Sequence, residues 1–154
     1  MRYDIENSGH DDSLIVGEFF QNFVKDIIKE KFGIKIDYYT SKDDQYHKGE
    51  SLQGWEIKYD QHCGKEYSKG VSIEIAEKIH QTDLNWINSG IYRSDNSINF
   101  VQGNTDTVIY IFCKKLLQLL HQSGRYKEKE ELTIRTFYLP YSDADKYCSH
   151  KITF

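Results

Sequence analysis

Residues 49–60 read GESLQGWEIKYD, and they set two glutamates and a lysine around a run of strand-forming side chains. From Trp55 to Tyr59, β-branched and aromatic residues alternate with charged ones, the period-two pattern of a strand. Alternate side chains of a strand share a face. Trp55, Ile57 and Tyr59 therefore belong to one side, and Glu56, Lys58 and Asp60 to the other. Such a charged face is cheap against water and costly against a dry core. A third possibility is that the carboxylates and the ammonium act together on a metal ion.

Working outward, the segment SLIVGEFFQNFVKDIIKEKFG carries apolar residues at Ile15, Phe19, Phe23 and Ile27, widened by Phe20, Val24 and Ile28. This spacing predicts an amphipathic helix, with Ser13 as its N-cap and Gly33 ending it. Three strands are expected to follow, at 34–40 (IKIDYYT), 54–60 (GWEIKYD) and 71–78 (VSIEIAEK). HQTDLNWINSGIYRSDNSINF, rich in Asn, Ser and Asp, reads as an irregular insert with at most a short hairpin. DTVIYIFC reads as a fully buried strand running into the helix KKLLQLLHQSG, closed by Gly124. After the charged turn RYKEKEE, LTIRTFYLP is expected as a last strand ending at Pro140, the only proline. The order is helix, three strands, insert, strand, helix, strand. It predicts an α/β or α+β protein with a mixed central sheet flanked by helices.

With 154 residues and no linker, repeat or low-complexity tract, the chain is expected to be one domain spanning 1–154. Hydrophobic residues at 38% and charged residues at 29% fit a globular chain rather than a disordered one or a membrane span. The N-terminal stretch MRYDIENSGHDDS lacks the layout of an export signal, so a cytoplasmic location is expected. A net charge of −4 weighs against a surface devoted to gripping nucleic-acid backbone. Three cysteines without a C-x-x-C, and histidines without helical ligand spacing, give no zinc-finger pattern. No P-loop, G-x-G-x-x-G, G-x-S-x-G or H-E-x-x-H occurs.

If the three early strands are neighbours, Asp37, Glu56, Lys58 and Glu74 gather on the face away from the core. Cross-strand ion pairing on a wet sheet accounts for them as surface chemistry. A second account is catalytic. Carboxylates hold a hard divalent cation through oxygen, the cation acidifies bound water, and an ammonium on the same face orients that water.

GESLQGWEIKYD resembles the core motif of the PD-(D/E)XK nuclease superfamily, an acid, a spacer, then Asp or Glu, any residue, and Lys. VSIEIAEK and the later NSGIYRSDNSINFVQGN are also similar to small phage-type proteins of that superfamily. The resemblance implies a restriction-endonuclease-like fold and metal-dependent hydrolysis of DNA phosphodiesters with Mg²⁺ or Mn²⁺. Glu56 and Lys58 stand at the second half of the motif. Either Glu50, by the literal pattern, or Glu74, by a hairpin between 54–60 and 71–78, completes the metal site. Glu18 on the first helix matches the family's helical acid, although it lies with Asn22, Lys25 and Lys29 on the polar side. Lys114 and Lys115, at the start of the second helix, are the candidate phosphate contacts. The alternative is a nuclease-like fold without catalysis that binds nucleic acid or a protein.

Overall fold

Apolar residues four apart build a continuous stripe along one side of a helix, and Val16, Phe20, Val24 and Ile28 are that stripe in helix α1 (His10–Phe32). The computed structural model describes residues 10–154. Part of the stretch read for an export signal, residues 1–9, lies outside them. The buried stripe is one residue on from the expected Ile15–Phe19–Phe23–Ile27 row; Ile15 is exposed, while Phe23 and Ile27 flank the core. The sequence holds both rows, and the sheet beneath decides which is central. Ser13 lies inside the helix rather than capping it. Gly33, at φ +68°, ends α1, its N–H donating to the Lys29 carbonyl at 2.9 Å.

Segment 34–40 is not a strand. It forms a single antiparallel bridge, Tyr38 to Ser51, within a local loop pairing that also ties Tyr39 to Glu50 and Leu52 to Asp37. A short helix α2 (Lys42–His47) follows, capped by the Ser41 hydroxyl. The rest of the chain runs β1 (Trp55–Tyr59), β2 (Gly70–Glu77), β3 (Ile87–Asn88), a 3₁₀ turn at Gly90–Tyr92, β4 (Asn99–Gly103) and β5 (Val108–Cys113). It ends with α3 (Lys114–Gln122), β6 (Glu128–Glu131), β7 (Ile134–Pro140), α4 (Tyr141–Tyr147) and β8 (His150–Thr153).

These strands make two four-stranded sheets, so the protein is α+β, as expected, with helices flanking a mixed sheet and an antiparallel one. The mixed sheet has the order β1-β4-β5-β8, with β1 parallel to β4 and the other pairs antiparallel. The second, β3-β2-β7-β6, is antiparallel throughout. The expected hairpin between 54–60 and 71–78 does not form, because β1 and β2 belong to different sheets. The neighbour of β1 is β4, which begins at the end of the section read as irregular and runs beyond it. Likewise, the charged turn RYKEKEE contains the solvated edge strand β6, and the chain continues past Pro140 into α4 and β8.

β5 shows how the layers meet. Ile109 and Ile111 join Trp55, Ile57, Val101 and Ile152 beneath α1, whereas Val108, Tyr110 and Phe112 join Val71, Ile73, Phe137 and Leu139 of the second sheet. A strand covered on both faces reads as an unbroken apolar run, which is why VIYIFC was recognisable. Among the described residues, no helix is long and apolar enough to cross a membrane.

Candidate active site

In β1 the odd residues Trp55 and Ile57 are buried under α1, which turns Glu56 and Lys58 toward the second sheet. Glu56 lies beside Phe100 in the parallel register with β4, and Lys58 beside Gln102. Glu74 of β2 reaches across from the other sheet, and its carboxylate accepts from the Lys58 ammonium at 2.9 Å. Glu50 enters from the loop before β1, where its Oε2 accepts from the Ile57 N–H at 2.9 Å and from the Gln21 side-chain amide at 3.4 Å. All four residues line one cavity of about 200 Å³, walled further by Tyr46, Ser89 and Arg93.

One wall depends on a glycine. The 3₁₀ turn presses onto β2, and a Cβ on Gly90 would lie 2.1 Å from the Glu74 carbonyl oxygen, with φ at +56°. Any side chain there would push the turn away from Glu74 and open the site.

The electrostatics are dominated by acids that lack enough compensation. Glu56 is only 6% exposed, and burial, followed by repulsion from Glu50, pushes its carboxyl up to about 8. Lys114 and Lys58 oppose that rise without cancelling it. Burial likewise raises Glu50, against the pull of the Ile57 N–H and Lys58. Desolvation works to lower the Lys58 ammonium, but Glu74 outweighs it, with help from Glu56 and Glu50, and Lys58 is held above its ordinary value. Glu56 Oε2 and Ser89 Oγ, both buried on this cavity, have no hydrogen-bond partner within the protein. Buried polar atoms are seldom left so, and Asp95 Oδ2, Ser97 Oγ and Gln102 Oε1 share the condition elsewhere.

The other sequence candidates lie elsewhere. Glu18 is exposed on α1. The α1 residue that reaches the acids is Gln21, on a row facing the loop before β1. Asp37 pairs on the surface with Gln53 at 3.0 Å and Lys35 at 3.5 Å. Lys114 is no open phosphate contact: it is buried, with its ammonium 2.9 Å from Asp95 and 3.0 Å from the Arg93 carbonyl. Lys115 is exposed. Asp60 serves the following turn, accepting from the His62 N–H and the Gln102 amide. Sequence reasoning missed Gln21, Tyr46, Ser89 and Arg93, because each arrives through pairing distant in the chain.

Among the described residues, no three His, Cys, Asp or Glu side chains converge as a ready cage for a metal, consistent with Lys58 occupying Glu74. Mg²⁺, however, keeps several waters and is commonly held by one or two carboxylates. Glu50 and Glu56, two hard oxygen donors on one cavity, both raised by burial and the second raised further by the first, with Glu56 Oε2 unpartnered, fit that demand. In comparisons with known proteins, no family model, curated protein or solved structure matches this chain.

Proposed function

We propose that this chain hydrolyses phosphodiester bonds of DNA with a divalent cation, Mg²⁺ or Mn²⁺, at the cavity between its two sheets. The observation that carries the proposal is that Glu50, half-buried, and Glu56, buried and raised by the charge of Glu50, line one cavity beside the Lys58 ammonium. A protein that needed these groups only for folding would do better with a neutral pair. The resemblance of residues 49–60 to the PD-(D/E)XK motif supports the same chemistry.

Glu50 and Glu56 would hold the cation, which when bound acidifies water and offsets charge on a phosphoryl oxygen. Glu50 is fixed for this by the Ile57 amide and by Gln21. Lys58, half-exposed at the cavity, orients the attacking water and donates to the phosphate oxygen that gains charge. Glu74 keeps that ammonium charged and aimed until substrate arrives. The buried Glu56 carboxyl would have to give up its proton to hold a cation, so loading would be linked to pH.

Calorimetric titration of Mg²⁺ and Mn²⁺ tests the first half: the wild type should show a binding heat that Glu56→Ala abolishes. Cleavage of plasmid and single-stranded DNA tests the second. Lys58→Ala should retain the binding heat and lose about a hundredfold or more in rate. Equal cutting by wild type and Lys58→Ala would assign the activity to a contaminant and end the catalytic proposal.

A further inference from the structure

Tyr46 is an aromatic ring left in water at the mouth of the cavity. It is 72% exposed and also lines the site. Two groups meet the ring, and its backbone is tied to the cavity wall. The Arg93 guanidinium lies 5.9 Å from the ring centroid and donates to the Gln45 and Tyr46 carbonyls, the latter at 2.8 Å. His47 meets the ring edge-on at 5.0 Å. Arg93 thus joins α2 to the cavity wall from which it projects.

The charges near the site restrict what can bind there. The chain carries a net −4, Lys58 is engaged by Glu74, and Arg93 is engaged by carbonyls of α2. A phosphate backbone finds few free cations at this mouth, and affinity for a polyanion must come from elsewhere. An exposed aromatic face can supply it, since every base stacks on a ring whatever its sequence, but only when the base is not already stacked in a duplex. A guanidinium behind the ring strengthens the platform by cation–π attraction.

We propose that Tyr46 is a stacking platform for an unpaired base next to the scissile phosphate, making single-stranded DNA, including flaps and frayed ends, the preferred substrate over intact duplex. The inference rests on the nuclease reading of the cavity and deepens it by naming the substrate class.

Two measurements test it. The first uses a single-stranded oligonucleotide carrying 2-aminopurine, titrated into a Glu56→Gln background that suppresses cutting. Stacking should quench the fluorophore, Tyr46→Ala should remove the quench, and Tyr46→Trp should restore it. The second is cleavage with Mg²⁺, where Tyr46→Ala should raise KM for the single strand about tenfold with kcat within about twofold. Quenching that ignores position 46, an unchanged KM, or faster cutting of intact duplex overturns the stacking role. In those cases Glu56-dependent Mg²⁺ binding would still stand. Its absence from the calorimetry would instead remove the nuclease reading, and the substrate assignment with it.

Discussion

Two sets of charges lie wholly or partly withdrawn from water, and they are built on opposite plans. Asp95 and Lys114 form a matched pair: the Asp95 side chain is fully buried, the ammonium sits 2.9 Å away, and the Ser97 N–H adds a second donor. Although burial alone would raise it, Asp95 is held below its ordinary value by those donors. Glu50 and Glu56 form a mismatched pair, each raised, with Glu56 Oε2 lacking a partner. The first arrangement is charge-compensated within the protein, although Asp95 Oδ2 is itself buried without a hydrogen-bond partner, and it stabilises the link between α3 and the loop before β4. The second is incomplete until something positive arrives. The difference is one of charge compensation: an acid and an ammonium in the first set, two raised acids in the second.

Breaking the matched pair should have the largest effect on stability. Lys114→Met leaves the buried Asp95 with only the more distant Arg93, at 3.7 Å, and should cost about 3 kcal/mol in urea denaturation. Adding Asp95→Asn should recover much of that loss, because neither charge then remains alone.

Neutralising the mismatched pair should behave in the opposite way. The folded state holds a proton on Glu56 up to about pH 8, whereas an unfolded glutamic acid gives it up near 4.5. Between those values the native state binds more protons, so wild-type stability falls as pH rises through the window. Glu56→Gln should flatten that decline and match or exceed the wild type at pH 8, while saturating Mg²⁺ should raise only the wild type. A stability profile that stays level from pH 5 to 8 in the wild type would show that Glu56 is not strained by its surroundings.

The smallest effects belong to the charges outside both pairs. Glu18→Gln and Lys115→Ala should each stay within about 0.5 kcal/mol of the wild type. Cleavage by either variant should remain within about twofold, and a tenfold loss with Glu18→Gln would put the helix acid back into the site.

What could be read in the sequence was local. The α1 stripe with its terminating Gly33, the β5–α3 unit closed by Gly124, and β7 ending at Pro140 each announce themselves within a few residues. Segment 34–40 shows how local alternation misleads, since Ile36 is buried yet the segment has only the loop before β1 to pair with. β4 was hidden for the converse reason. Asn99, Gln102 and Gly103 dilute its apolar signal, although it fills the place beside β1. Within the site, motif spacing singled out Glu50, Glu56, Lys58 and Glu74, and the fold brings them to one cavity across two sheets instead of one. Lys114 was misread because its partner, Asp95, lies 19 residues earlier, where nothing local ties the two together.

β1 ends the mixed sheet, and its outer side is where a foreign strand would attach. The Glu50 carboxylate sits on the Ile57 amide there, so a negative charge guards the seam. Removing it does more than disarm a cation ligand: a Glu50→Ala chain presents a bare backbone donor at the rim of a β-rich molecule and becomes the variant most inclined to self-associate.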